Sequence, residues 1–346
     1  MRRHLNTLFV TTEGAWLRKD GANLVVEVGG AERARFPIHM LDGVVCLGRV
    51  GMSPPRMGHC ADEGVTVSFL AESGRFLARV EGERSGNVLL RRRQYRLADD
   101  PAACARIADA MVAAKIANQR TVLRRALRDH AGAVEAGRQA RLDDAQRRLT
   151  EMARRAAVSE TLEVVRGCEG DAASAYFGVF DILIRRDEEA FRFTGRNRRP
   201  PLDACNALLS FVYAMLGHDC RSALESVGLD PQVGFLHRDR PGRAGLALDL
   251  MEEFRPVLAD RLVLSLINRR QIGPTDFVTH EGGAVTLTDE TRKTVLTAWQ
   301  DRKRDEITHP FLEEKVTLGL VPQLQARLLA RHLRDDLDGY PPFVWR

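Results

Sequence analysis

The hydrophobic pattern of the chain changes character once, near residue 85, and that change limits the fold to a β-patterned part followed by a helical one. Before it, short apolar runs alternate with turn residues. In "LFVTTEGAWLRKDGANLVVEVGG" the dipeptide Asp20-Gly21 separates two strand-like runs, a hairpin signal. "GVVCLG" (43–48), "VTVSFLA" (65–71) and "RFLARVEG" (75–82) are further short apolar runs bounded by glycine. Pro54-Pro55 followed by "RMGHCADEG" fits one small helix that ends at Gly64. After residue 100 the chain is rich in alanine, leucine and arginine, with no proline inside 102–158. Ile107, Met111 and Ala114 recur there at helical spacing, and Gly132 and Gly137 mark a break between two helices.

The rest also reads as helix. In "DACNALLSFVYAMLG", Asp203 is the expected N-cap after Pro200-Pro201. Leu208, Phe211, Val212 and Met215 share a face, and Gly217 is the expected stop. "VPQLQARLLARHL" repeats the pattern, and "YPPFVWR" is expected to pack on the body rather than form an element. The fold class is therefore α+β: a small, mostly-β N-terminal domain (1–85), a linker (86–100) and a larger all-helical domain (101–346). A chain of 346 residues suits two domains. No apolar run reaches membrane-spanning length, and the apolar start is interrupted by Asn6, Thr7, Thr11 and Thr12, which argues against a signal peptide. Six scattered cysteines without a CxxC pair argue against a zinc ribbon and suit reduced thiols in a cytoplasmic protein. A net charge of +5, carried mainly by arginine, suits a polyanionic partner.

Three segments carry side chains suited to chemistry. "HRDRPGRAGLALDLMEEFRP" (237–256) places Asp249, Glu252 and Glu253 in an apolar stretch. Asp249 and Glu252, at i and i+3, share a helical face apart from Leu246, Leu250, Phe254 and Val257. They are either an exposed acidic face paired with Arg243 and Arg255 or part of a site. In "VVRGCEGDAASAYFGVF", Glu169 lies one turn before the apolar stripe of Ala173, Tyr176, Phe177 and Phe180, near a helix start loosened by Gly167 and Gly170. It either supports that start or binds a ligand. His237 follows the apolar "GFL", with His218 and His280 as competitors. Carboxylates with an imidazole suit Mg²⁺ or Mn²⁺, and such an ion activates phosphodiesters. Arginine, which grips phosphate with a planar fork, recurs in "RRRQYR" (91–96), "RFTGRNRRPP" (192–201) and "RDRPGR" (238–243).

"CEGDAASAYF", "RNRRPPLDACNALLSFVYAML", "GFLH" and "LALDLMEEFRP", in this order, resemble the spacer-acquisition integrase of CRISPR systems, the first CRISPR-associated protein family. "LNTLFVTTEGAWL" and "GRFLARVEGERSGNVLLRRRQYR" resemble its subtype I-C branch. The resemblance covers nearly the whole chain. It implies an N-terminal β domain that serves a homodimer and a helical catalytic domain. It implies metal ligation by Glu169, His237 and Glu252, with Asp249 as a further acid beside the metal and catalytic roles for all four. The D-x-x-E spacing before Arg-Pro favours Glu252 over its neighbour Glu253, which departs from the pattern as a competing acid. Cys168 is not a nucleophile by this analogy.

The implied function is a metal-dependent endonuclease and integrase that inserts captured DNA as new spacers by transesterification. Its partners would be double-stranded DNA (captured fragment and CRISPR leader–repeat) and a small second CRISPR-associated protein bridging two dimers. Arg196, Arg198, Arg199, Arg238 and Arg243 are the expected phosphate contacts, and Asn206, Ser210 and Tyr213 an edge of core hydrogen bonds. The alternatives are a metal-dependent nuclease on branched DNA without integration and a non-catalytic DNA-binding scaffold.

Overall fold

A computed structural model describes residues 7–41, 43–72, 76–80, 82, 87–129, 135–157 and 161–345. The expected boundary at residue 85, the break at Gly132 and the basic start at residues 1–6 lie outside the described residues. The chain forms two compact units, Met1–Gly86 with Leu287–Arg304, and Asn87–Thr286 with Asp305–Arg346.

The first unit holds two four-stranded sheets. One runs β1 (Thr7–Val10), β5 (Gly43–Leu47), β7 (Thr66–Leu70) and β8 (Phe76–Val80), the first three parallel and β8 antiparallel to β7. The other is ordered β4 (Ala31–Pro37), β3 (Asn23–Val28), β2 (Trp16–Asp20) and β6 (Gly51–Met52). β2 and β3 pair across Gly21-Ala22, the hairpin signalled by Asp20-Gly21. β3 and β4 turn on Gly29 and Gly30, with φ of 61° and 78°, the left-handed pair a two-residue hairpin favours. Helix α1 (Pro54–Asp62) begins at the two prolines, and its Cys60 joins a core with Leu17, Leu24, Val44 and Val67. Helix α10 (Asp289–Arg304) belongs to this unit and buries Val295, Leu296 and Trp299.

The second unit is mostly helical: α2 (Val88–Ala98), α3 (Pro101–Asp129), α4 (Ala136–Ala157), α5 (Leu162–Phe177), α6 (Phe180–Leu183), α7 (Ala204–Ser226), α8 (Gly245–Glu252), α9 (Arg261–Asn268) and α11 (Val321–Leu333). A π-helical segment, Arg255–Asp260, leads into α9. Helix α3 packs against α4, α5 and α8. Ile107, Met111 and Ala114 are all buried.

Four expectations change. The linker expected at 86–100 is helical over Val88–Ala98, because buried Gln94 donates to the carbonyls of Asp230 and Val233, both at 2.8 Å. The region expected to be all-helical carries two short sheets, β9 (Phe277–Thr279) with β10 (Val285–Leu287), and β11 (Glu306–Thr308) with β12 (Lys315–Thr317). Residues 287–304 leave that region for the first unit. Gly217 does not stop α7, which runs on to Ser226 and buries Cys220, Ala223 and Leu224 beyond it. Among the described residues no helix is long and apolar enough to cross a membrane.

Candidate metal and catalytic site

Helix α5 begins at Leu162, so Glu169 sits mid-helix rather than at a loosened start. That position removes the helix-terminus role expected as an alternative. Val165, Cys168, Ala172, Ala175 and Tyr176 bury the inner face. Glu169 stands at its edge, with 27% of its side chain exposed.

Helix α8 is apolar and acidic at once, and every residue of it except Leu248 is buried. Leu246, Leu250, Asp249 and Glu252 are all buried, so no exposed acidic face exists here. Such a helix needs partners for its charges, and each acid has its own set. Asp249 Oδ2 accepts from the backbone N–H of Phe235 (2.6 Å) and Leu236 (2.9 Å), and Oδ1 accepts from the N–H of His237 (3.0 Å). The approach depends on Gly234: a Cβ there would lie 2.6 Å from Asp249 Oδ2 and 2.7 Å from the Gly245 carbonyl carbon. Asp249 Oδ1 also lies 2.6 Å from His237 Nδ1. A carboxylate there places the ring proton on Nδ1 and leaves the Nε2 lone pair free. Nε2 points to Glu252 Oε1 at 4.0 Å. Asp249 is thus a positioning group that fixes both the His237 backbone and its tautomer.

Glu252 is the electrostatic centre. Arg255 Nη1 lies 3.0 Å from Oε1, and Lys115 Nζ, from α3, lies 2.7 Å from Oε2. The same ammonium pairs with Glu169 Oε1. Burial disfavours the ionised Glu252, but the positive charges of Arg255 and Lys115 outweigh it and hold the carboxyl well below the usual range.

Glu253, one residue on, faces elsewhere. Its carboxylate accepts from Tyr340 Oη (2.6 Å), the Phe343 N–H (2.7 Å) and Gln325 Nε2 (3.1 Å). Its backbone carbonyl accepts from Asn118 Nδ2 at 2.7 Å. It anchors the segment Tyr340–Trp345 and does not compete with Glu252.

Arg196 is engaged inside the unit, donating to Asn206 Oδ1 (2.6 Å), Ser210 Oγ (3.2 Å) and the carbonyl of Asn197. It and Arg255 stack on the Tyr213 ring at 5.3 and 5.1 Å, and the Tyr213 hydroxyl donates to Asp260 Oδ1 at 2.6 Å. Asn206, Ser210 and Tyr213 make internal hydrogen bonds, the first two with Arg196. Arg198, Arg199 and Arg238 are exposed or partly exposed, and Arg243 is half-buried with Arg240, Arg199 and Arg166 as charged neighbours. His218 lies beside Asp219 and His280 beside Thr286, so neither joins the cluster. Burial raises the Cys168 thiol, in keeping with an inert sulfur.

Sequence reasoning missed Lys115. Its signal was available: Lys115, Asn118 and Gln119 are polar residues at i, i+3 and i+4 inside an alanine-rich apolar helix, and all three are buried.

The donor set suits a hard divalent ion, with two carboxylates and one imidazole nitrogen whose partner nitrogen is fixed by a carboxylate. Among the described residues no three His, Cys, Asp or Glu side chains already close on one point. The Lys115 ammonium is the cation paired with both Glu169 and Glu252.

A β-rich unit followed by a helical unit is a fold that solved structures share with this chain. The fold matches a casposase bound to integration product with a TM-score of 0.84, 23% identity and coverage of 99% of this chain and 94% of the other. It matches a chain of a Cas6-RT-Cas1–Cas2 complex with a TM-score of 0.82 and 23% identity, over 99% of this chain and 36% of that one. The chain belongs to the family of CRISPR associated protein Cas1, whose profile matches residues 8–301. It is 58% identical over 347 residues to "CRISPR-associated endonuclease Cas1 2" of Rhodospirillum rubrum, covering 100% of both chains.

Proposed function

We propose that the chain is a divalent-metal-dependent DNA endonuclease and integrase that inserts captured DNA fragments into a CRISPR array by transesterification. The observation that carries this reading is the pairing of Glu169 and Glu252, from separate stretches of sequence, with one buried ammonium, that of Lys115, while His237 Nε2 stands 4.0 Å from Glu252 Oε1. Paired acids with only structural duties do not also need an imidazole fixed through Nδ1.

Glu169 and Glu252 would hold Mg²⁺ or Mn²⁺ by charge, and His237 Nε2 would complete the protein ligands. When bound, such an ion supplies Lewis acidity to phosphodiester oxygens and acidifies a nearby hydroxyl. Asp249 keeps His237 oriented. Arg198, Arg199, Arg238 and Arg243 would hold DNA phosphates, while Arg196 acts from within through Tyr213 and Asp260. The 3′-hydroxyl oxygen of the captured fragment bonds to a phosphorus of the leader–repeat duplex. The bond from that phosphorus to its own 3′-oxygen breaks. The proton lost by the attacking hydroxyl is matched by the one gained at the leaving oxygen, so one phosphodiester replaces another and no nucleotide cofactor is consumed. The partners of this reading are double-stranded DNA, a second copy of the chain joined through the β-rich unit, and a small second CRISPR-associated protein bridging two dimers. A Cas1–Cas2 complex among the structural neighbours supports that last partner. A cytoplasmic location follows from the same reading.

The test is a strand-transfer assay with a short duplex, a supercoiled plasmid carrying a repeat, the small partner and Mn²⁺. Wild-type protein joins the duplex covalently to the plasmid. Glu169→Gln loses joining by at least a hundredfold while retaining DNA binding. Joining at the wild-type rate by Glu169→Gln would return the cluster to a scaffold role, and cleavage without joining by wild type would leave only the nuclease.

A further inference from the structure

Lys115 sits where a cation is needed. Its side chain is 4% exposed, and its Nζ pairs with Glu169 from α5 and Glu252 from α8. The choice of residue is informative. The chain has 52 basic residues, of which five are lysine. At this position, between two acids, it uses the compact ammonium on a flexible stem and not the planar guanidinium it uses nearly everywhere else. An ammonium approximates an ion in size and can be withdrawn by rotating its own side chain.

Charge balance sets the order of events. Without an ion, the two acids are balanced by Lys115 and by Arg255, which is bound to the other oxygen of Glu252 at 3.0 Å. Adding a divalent ion while both side chains stay would leave the pocket, with buried Asp249 counted among its acids, carrying a positive excess in a low-dielectric setting. One cation has to leave. Arg255 is held from its other side by the Tyr213 ring at 5.1 Å. Among the described residues the Lys115 ammonium pairs with the two acids alone, and it borders Glu169, the member of the cluster most open to solvent.

We propose that Lys115 is the resident counter-ion of the acid pair and that divalent metal binding is an exchange in which the ion takes the place of the Lys115 ammonium, which swings out past Glu169. This inference rests on the reading of Glu169, Glu252 and His237 as metal ligands. Lys115 is then a positioning residue in the ion-free protein, keeping two mutually repelling carboxylates together, and a competitor that sets the affinity for metal.

Three measurements on the full chain test it. In titration calorimetry, Lys115→Met binds Mn²⁺ at least tenfold more tightly than wild type, while Lys115→Arg, which keeps the charge, gains nothing. In EDTA, Lys115→Met melts below wild type, and Mn²⁺ raises its melting temperature by more than it raises that of wild type. On unmutated protein, acetylation by an amine-reactive ester, read by mass spectrometry, labels Lys115 at least fivefold faster in Mn²⁺ than in EDTA, with the other lysines as internal references. The labelling needs no variant to fold. Unchanged or weaker Mn²⁺ binding by Lys115→Met, or labelling indifferent to Mn²⁺, overturns the exchange while leaving the metal site standing. Wild-type Mn²⁺ binding that survives Glu169→Gln overturns the metal site, and the exchange with it.

Discussion

Glu252 and Glu253 are adjacent, equally buried and chemically identical, yet their surroundings drive them apart. Glu252 faces an imidazole and two basic side chains, and the charges of the two basic groups keep it ionised. Glu253 has hydrogen-bond donors but no neighbouring cation among the described residues, and burial pushes its carboxyl up to about 8 against the pull of Tyr340, the Phe343 N–H and Gln325. A glutamate in the unfolded chain titrates near about 4.3. Between those two values the native state holds a proton that the unfolded state has released. The contribution of Glu253 to stability is therefore complete below the unfolded value and is lost as pH rises through the folded one. Asp260, raised to about 6 by burial, acts in the same direction. Glu253→Gln removes one of these two slopes and leaves the other. The urea-unfolding free energy of wild type is expected to fall more steeply from pH 5 to 8 than that of Glu253→Gln. Parallel slopes would mean that Glu253 is ionised in the folded state.

Among the elements, α3 and the segment Tyr340–Trp345 matter most for how Glu252 is held. Asn118, one turn beyond Lys115, donates to the carbonyls of Glu253 (2.7 Å) and Phe343 (2.9 Å) and accepts from the N–H of Trp345 (2.7 Å). Phe343 packs on Phe254 with ring centroids 5.7 Å apart. One face of the Glu252–Phe254 stretch thus rests on this segment while the other meets Lys115. Removing Asn118 orphans three backbone groups, and a buried unsatisfied group costs about 1–3 kcal/mol. Asn118→Ala is expected to lose roughly 3 kcal/mol in urea unfolding. A loss under about 1 kcal/mol would show that the segment stays bound by its aromatic contacts alone. Sequence pattern anticipated that "YPPFVWR" packs on the body, because its aromatics have no helical or strand period. It could not show where, since the anchors are polar atoms from Asn118, Glu253 and Gln325, far away in the chain. Local pattern failed for the same reason at Gly217, where packing of Cys220, Ala223 and Leu224 carries α7 past a residue with little helix preference of its own.

At the scale of the whole molecule, the division into a β-rich part and a helical part was legible, because period-two and helical patterns occupy separate stretches. The return of residues 287–304 to the first unit was not, since an amphipathic helix does not say which core it will join. Glu169, His237 and Glu252 were singled out through resemblance, whereas the burial of Glu252 and the presence of Lys115 came only with the fold. Arg198, Arg199 and Arg238 are open to solvent and Arg243 is half-buried, and in the proposed function these four would meet DNA phosphates. DNA affinity is expected to fall linearly with the logarithm of salt, and replacing these four by alanine should flatten the slope by roughly three to four, about 0.9 for each phosphate no longer neutralised. An unaltered slope in a filter-binding titration would place the DNA elsewhere. The bracing of Glu252 by residues 340–345 has an outcome in time as well as space. Translation reaches Tyr340 only after Lys115, Glu169, His237 and Glu252 have been made. A ribosome-bound chain therefore holds these four side chains before it holds the brace, and the surroundings of Glu252 are the last part of the helical unit to be completed.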